Sequence, residues 1–419
     1  MSGATDPTWA PASSSQAPYQ HQVAGHSASL QSYGPAMVSK LTTYTEAAFY
    51  VMAQTRAPVL ASQFMPAFHG YSRSSTSVID PSTSVIDPST PVRILLADIT
   101  STMVRPCIAD IKLGTRLYAD DAPLPKKERM LLQSSTTTSG TVGLRICGMK
   151  VVSPATLEYD IYDRSFGRAT SWFHPCTHSM NDVDPSLSLD DGLSLDDGLS
   201  LDDGLSLSDN RRVDPLTLHR HRTAEAAQSP ATHAQCVAAA SSLIRIGLLA
   251  LVGLAVPNRS AQSGETPSPD TMTLVSSSNN SNNSNNSSNS NSSNGLLMSS
   301  SHTARLQLLC QLRNQLKELR KSLACCPVRI YGASLLLVYE GSLSNTNTSA
   351  DPVSCINHDS PLHSRSLPIQ VRLIDFAHSS FVDPSEGPDQ GALFGIDNMI
   401  RILGDIVDTH EIALDCASV

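Results

Sequence analysis

Nine cysteines are spread over 419 residues without one Cys-Xaa-Xaa-Cys pair or any zinc-ligand spacing. That absence excludes a structural zinc module, and reduced thiols in an intracellular compartment, cytoplasmic or nuclear, are the simplest account. No basic stretch leads into an apolar run and a cleavage site at the N-terminus, so no secretory leader is expected. No apolar run reaches the ~20 residues that span a bilayer. The nearest, residues 246–256, is preceded by Arg245, Ser241 and Ser242 and is expected to be a buried helix. A glycine-rich phosphate loop of the GxGxxG type is missing. Basic residues interleaved with aromatics are missing as well: Arg211, Arg212 and the run His219 to Arg222 adjoin acidic repeats, which argues against a nucleic-acid partner.

Much of what is present has low complexity. Residues 276–299 are almost pure Ser and Asn, residues 188–208 repeat Ser-Leu-Asp-Asp-Gly-Leu, and residues 77–90 repeat Ser-Val-Ile-Asp-Pro-Ser-Thr. Such tracts bury too little apolar surface to offset the entropy of ordering them, and they are expected to be solvated insertions. Their periods are too short for a solenoid. What is left, roughly 250 residues, suits one interrupted catalytic domain. The net charge is −9, and the acidic excess sits in the repeats, at Asp190, Asp191, Asp196, Asp197, Asp202 and Asp203. Positive charge gathers elsewhere, at Lys112, Arg116, Lys126, Lys127, Arg129, Arg145 and Lys150, so an anionic ligand remains compatible with an acidic chain.

Inside that basic region lies Pro106-Cys-Ile-Ala-Asp110-Ile-Lys112-Leu-Gly114. Strand periodicity puts Asp110 and Lys112 on one face. A carboxylate can orient an attacking hydroxyl while a neighbouring ammonium holds the phosphoryl group in transfer, and phosphoryl transfer needs little more than such positioning and charge. A solvated surface pair is the alternative. Asp375 closes an apolar run, Gln370 to Ile374, and is either a hard-oxygen ligand for Mg2+ or a turn former. His378 is a candidate contact to the acceptor or a packed histidine.

Apolar periodicity predicts strands at Met37 to Leu41, Val92 to Ile99, Ser334 to Glu340 and Gln370 to Phe376, the last two pairing antiparallel across a loop at 341–368. A helix starts near Thr45. Leu306, Leu309, Leu312, Leu316, Leu319 and Leu323 mark an amphipathic helix over 303–324 with Arg313, Lys317, Arg320 and Lys321 opposite. Pro125 suits the start of another helix, on which Lys126 and Arg129 share a face.

The Pro106 to Gly114 segment resembles the PxxxDxKxG signature of the inositol polyphosphate kinase family, and further matches follow in that family's order. They are His21-Gln-Val-Ala-Gly25-His26, Lys40 with Glu46 and Phe49-Tyr50, then Thr141-Val-Gly143-Leu-Arg-Ile-Cys147-Gly148-Met149. Tyr162-Asp163-Arg164, Phe166-Gly167-Arg168, Ser334-Leu335-Leu336, Ile374-Asp375-Phe376-Ala377-His378 and Gly387-Pro388-Asp389 complete the set. The run from Asp120 to Gly143 aligns with the inositol hexakisphosphate kinase branch without a gap.

The resemblance implies an α+β, two-lobed inositol polyphosphate kinase fold with antiparallel sheets, distantly like protein kinases. It implies a disordered N-terminus over 1–18, a nucleotide-binding lobe and hinge over 19–99 with the 77–90 repeat inserted, and a catalytic lobe over 100–412. Insertions in that lobe are expected at about 174–230, 258–300 and 341–368. ATP would lie between the lobes with Lys40, paired to Glu46, on its phosphates, with backbone near Leu96 and Asp98 on adenine, and with the Asp98 carboxylate on ribose. Asp375 would carry Mg2+, Lys112 would hold the γ-phosphoryl group, Asp110 and His378 would face the acceptor, and Arg116, Lys126 and Arg129 would clamp its remaining phosphates. The implied partner is a small molecule, an inositol polyphosphate, bound by a monomer with no membrane span.

Three positions depart from the pattern: Ala97 where Glu is frequent, Ala333 where Ser is frequent, and Leu132 with Gln133 where the hexakisphosphate branch has a basic pair. The expected acceptor is inositol hexakisphosphate, giving a diphosphoinositol. A multikinase or trisphosphate 3-kinase acting on a ring hydroxyl, or a non-catalytic inositol phosphate sensor, are the alternatives.

Overall fold

The computed structural model describes residues 17–25, 29–73, 87–154, 156–167, 230–257, 272–274, 291–341 and 369–417. Strands β1 (Leu30–Tyr33) and β2 (Met37–Thr43) form a hairpin whose turn needs Gly34 at φ 64°. Helices α1 (Tyr44–Arg56) and α2 (Pro58–Phe64) follow, then β3 (Phe68–Arg73) and β4 (Pro91–Ala97). The four strands make one antiparallel sheet in the order β1-β2-β4-β3. Ala47, Phe49, Tyr50 and Ala53 recur at helical spacing on α1, and this buried stripe covers the sheet beside Ile94 and Leu96 of β4.

The second sheet is built around β5 (Pro106–Leu113), a strand buried along nearly its whole length, as a central strand requires. Helices α3 (Leu124–Ser135) and α4 (Thr138–Val142) lead to β6 (Leu144–Val152), β7 (Tyr159–Tyr162) and the single turn α5 (Arg164–Gly167). Next come α6 (Pro230–Leu251), the small hairpin of β8 (Ala255–Pro257) and β9 (Met272–Leu274), and α7 (Asn291–Ala324). The chain ends with β10 (Val328–Ile330), β11 (Ser334–Glu340), β12 (Gln370–Ile374), β13 (Ser379–Phe381) and α8 (Gln390–Ala417). The five-stranded antiparallel sheet runs β12-β11-β5-β6-β7. The expected β11–β12 pair is present, in register from Ser334↔Ile374 to Val338↔Gln370. The architecture is α+β with antiparallel sheets.

All six leucines of the α7 stripe are buried, against α8 and β12, and Arg320, expected on the opposite face, instead pairs with Asp397 of the same α8. Gly143 and Gly395 let α8 touch the start of β6 backbone to backbone: a Cβ on Gly395 would come within 2.3 Å of the Gly143 carbonyl oxygen.

Several expectations need correction. The helix expected over 246–256 ends at Leu251, where Gly253 at φ 70° turns the chain into β8, and it reaches back to Pro230. That length makes His233–Leu251 apolar and long enough to cross a membrane by composition alone, yet Leu243, Ile244, Leu248 and Leu249 are packed in the core. Helix α7 starts at Asn291, inside the Ser/Asn tract expected to be solvated, since adding turns to an existing helix is far easier than nucleating one. Residues 17 and 18 are ordered rather than part of a loose terminus, with Pro18 bridged to Gln31. Residues 272–274 pair as a strand within the expected 258–300 insertion. Cys236 is in a disulfide, against the expectation of reduced thiols throughout. The acidic repeats, most of the 77–90 repeat, His26, Arg168, Arg211, Arg212 and His219 to Arg222 lie outside the described residues.

Candidate active site

A cleft between the two sheets has a cavity of about 150 Å³, lined among others by Lys40, Leu96, Asp98, Asp110, Leu336 and Asp375. The floor comes from β5. Asp110 stands opposite Leu336 of β11 and Gly148 of β6, while Lys112, two residues on, stands opposite Ser334 and Arg145. A bulge on β6 at Cys147 shifts the register between these rows, a feature with no signal in the motif itself. Asp110 is 7% exposed.

Four charged side chains from distant parts of the chain meet here. Lys40 Nζ of β2 lies 2.9 and 3.0 Å from the two carboxylate oxygens of Glu46 on α1, and 2.7 Å from Asp375 Oδ1. Lys112 Nζ donates to Asp375 Oδ2 at 3.0 Å and to the Gly332 carbonyl at 2.9 Å. Glu46 is fully buried and also accepts from Thr42 Oγ1 at 2.5 Å and from the Phe376 N–H at 3.2 Å. Burial works to raise the Asp375 carboxyl, but the charges of Lys40 and Lys112 outweigh it and hold the group well below the usual carboxylate range. Burial likewise works against the Lys40 ammonium, and Asp375 with Glu46 more than reverses it, so that lysine stays charged.

Asp375 follows β12 in the left-handed region, at φ 67°. That conformation carries strain for a residue with a Cβ, least for Asp and Asn. It lets Phe376 turn back under α1, where the ring stacks on Phe49 with centroids 4.7 Å apart. Packing behind and two lysines in front hold the carboxylate in one place.

Expected nucleotide contacts at the hinge are partly taken. The Ala97 N–H donates to the Ala67 carbonyl and the Asp98 N–H to the Ala36 carbonyl, both at 2.9 Å, so these two amides do not present themselves to a base. Asp98 Oδ1 accepts from the Thr100 N–H at 2.8 Å, its hydroxyl at 2.7 Å and the Tyr19 hydroxyl at 2.8 Å. Burial first, and the Asp98 charge with it, pushes the Tyr19 phenol upward despite its hydrogen bond to Thr100. Leu96 contributes an apolar wall.

Tyr19 belongs to a strap, residues 17–25, that sequence reasoning noted only as a motif. It is tied to the first sheet through Leu30 and to the second by Lys150 Nζ on the Gln20 carbonyl at 3.3 Å. His21 lines the cleft, and burial together with Lys150 lowers its imidazole while Asp98 opposes them. Gly148 is what admits the strap: a Cβ there would stand 2.0 Å from the Val23 carbonyl oxygen. Gly148→Ala is therefore expected to lift the strap, raising the KM for nucleotide about tenfold and speeding proteolysis ahead of residue 25. Unchanged cleavage would mean that the strap contributes nothing to the cleft.

The predicted acceptor residues are brought only partly together. Lys126 Nζ lies 3.0 Å from His378 Nε2, joining the start of α3 to the turn after β12. Arg116 is clamped between the rings of Tyr118 and Tyr331, at 4.7 and 4.3 Å, and also pairs with Asp120. Arg129 is exposed on α3 and does not line the cavity. Gln133, at one of the two positions that depart from the basic pair, is buried.

Among the described residues no group of three His, Cys, Asp or Glu side chains could hold a metal by itself. Magnesium in phosphotransfer sites takes one or two carboxylates and completes its shell with water and phosphate oxygen, so Asp375, between the Lys40 and Lys112 ammonium groups, has the donor chemistry such an ion would need.

The sequence model described as inositol polyphosphate kinase matches residues 93–175 and 274–404. Over 102 residues the chain is 40% identical to the inositol polyphosphate multikinase of Schizosaccharomyces pombe, covering 23% of this chain and 35% of that protein. Over 78 residues it is 38% identical to inositol hexakisphosphate kinase 3 of Mus musculus, covering 19% and 20%. The chain thus spans about a third or less of the length of these relatives. Among solved structures, the multikinase Ipk2 of S. cerevisiae in complex with ADP and Mn2+ overlaps 89% of this chain and 99% of its own, at 19% identity and a TM-score of 0.46. That likeness is too distant to bear on the chemistry.

Proposed function

Because the chain belongs to the inositol polyphosphate kinase family, we propose that it transfers the γ-phosphoryl group of ATP to an inositol polyphosphate, with inositol hexakisphosphate as the acceptor. The observation that carries this reading is the Lys40–Asp375–Lys112 chain of ion pairs above Asp110. Two ammonium groups fixed by one carboxylate can follow negative charge from the β-phosphate to the transferring group without reorganising. Lys40 binds the nucleotide's phosphates and Lys112 the γ-phosphoryl group. Asp110 orients the attacking oxygen of the acceptor, and the Lys126–His378 pair holds a neighbouring phosphate. Asp375 would hold Mg2+, which when bound neutralises charge on the phosphate oxygens.

A second reading, phosphorylation of a ring hydroxyl, is favoured by Leu132 and the buried Gln133, which leave α3 with fewer cations for a fully phosphorylated ring. Purified protein with Mg2+-ATP and a panel of inositol phosphates tests both. A product one phosphoryl group heavier than inositol hexakisphosphate is expected. Turnover of a tris- or tetrakisphosphate alone would replace the first reading with the second, and no turnover of any member would reject both.

A further inference from the structure

Besides Asp375, Lys112 Nζ donates to the carbonyl of Gly332, at 2.9 Å, in the short turn between β10 and β11. The two acceptors differ in kind. The carboxylate offsets the charge of the ammonium and is the group offered to Mg2+ above, whereas the neutral carbonyl aims the ammonium and leaves its charge intact for a phosphoryl group. Where that oxygen points is set by the turn. Gly332 adopts φ 70°, which orients its peptide in a way that a residue with a Cβ resists. The Ala333 N–H closes the turn on the Ile330 carbonyl at 3.1 Å, and the Ala333 carbonyl takes the Leu113 amide at 2.9 Å. The end of β5 thus meets the turn twice, once through backbone and once through Lys112.

The turn is anchored at both of its shoulders. On one, the Ile330 N–H donates to Asp389 Oδ2 at 3.0 Å, and the buried Asp389 takes the Ala392 N–H on its other oxygen at the start of α8. On the other, Tyr331 lies under the guanidinium of Arg116, whose Cζ is 4.3 Å from the ring centroid, and the phenol oxygen accepts from Nη1 at 3.3 Å. Arg116 is itself held at its remaining nitrogens: Nε donates to the Tyr118 carbonyl at 3.0 Å, and Nη2 pairs with Asp120. With the Tyr118 ring 4.7 Å away as well, this guanidinium is built in as a brace. Expected on the acceptor's phosphates, it instead gives every nitrogen to its own chain.

We propose that Tyr331, braced by Arg116, is a positioning residue that fixes the Gly332 carbonyl and, through it, the Lys112 ammonium beside the transferring phosphoryl group. Neither side chain touches substrate in this role. The inference rests on the reading of the cleft as a phosphotransfer site, where a lysine must be aimed at the reacting group, but one of its tests needs no turnover.

The full chain is compared with Tyr331→Leu and Tyr331→Phe by kcat, by KM for ATP and for the inositol phosphate that the parent turns over fastest, and by thermal melting. A short pulse of acetic anhydride, with acetylation of Lys112 read by peptide mass, reports on the lysine without turnover. Tyr331→Leu should lower kcat about thirtyfold with both KM values within about twofold, and should raise Lys112 acetylation about threefold, while still melting cooperatively. Tyr331→Phe keeps a ring under the guanidinium and should recover kcat to within about threefold of the parent, a rescue that a general loss of stability would not show. Arg116→Met removes the brace from the other side, should repeat the leucine pattern, and decides the matter if Tyr331→Leu does not fold; the double variant should be little worse than either single one. Unchanged kcat, or unchanged labelling of Lys112, would overturn the assignment. A rise of about tenfold confined to the acceptor KM of Arg116→Met would overturn it too and return that arginine to substrate binding. If the parent turns over no inositol phosphate yet the labelling of Lys112 depends on Tyr331, the brace stands and the kinase reading falls.

Discussion

Asp375→Asn is expected to lower kcat about a thousandfold while the protein still folds and melts cooperatively. Asparagine keeps the size of the side chain and tolerates φ 67°, so the backbone after β12 need not move. What goes is the negative charge between Lys40 and Lys112, and with it both the proposed Mg2+ ligand and the restraint on two ammonium groups. Asp375→Ala would confound this by adding backbone strain. Steady-state rates with Mg2+-ATP and the preferred acceptor decide it, and a variant that keeps more than about a tenth of parental kcat would remove Asp375 from the chemistry.

The second large effect falls on stability as well as activity. Lys40→Met leaves Glu46, which is fully buried, without its cation, although Thr42 and the Phe376 amide still donate to it. Breaking a buried pair from one side costs about 3–5 kcal/mol, because the charge left behind is uncompensated. Lys40→Met with Glu46→Gln should recover most of that loss and none of the nucleotide affinity. Denaturant titration of the single and double variants separates the two contributions. Equal stability of Lys40→Met and its parent would show that the Lys40–Glu46 contact is incidental.

Much of this was legible because it is periodic or local. The β5 motif places Asp110 and Lys112 on one face by strand alternation alone, and the α7 leucines declare their buried side by spacing. The β11–β12 pair follows from two apolar runs. What stayed hidden depends on tertiary company. Nothing near Asp98 foretells that Tyr19, 79 residues earlier, donates to its carboxylate, or that the hinge amides turn to other carbonyls. Arg145 reads as one more cation among seven until the fold is seen to bury its Nε without a hydrogen-bond partner among the described residues. Residues 246–256 misled because a 3.6-residue pattern does not announce where a glycine will break it.

The β11–β12 hairpin carries its charged row at one end and its connection at the other. Ser334 and Ile374 lie level with Lys112, whereas Val338 and Gln370 sit at the opposite tip, where the connection through 342–368 departs. Evolution can therefore splice, lengthen or trim that bend with little disturbance to the row of charges beneath the cleft, and a chain so loaded with polar inserts can drift there without losing its trade.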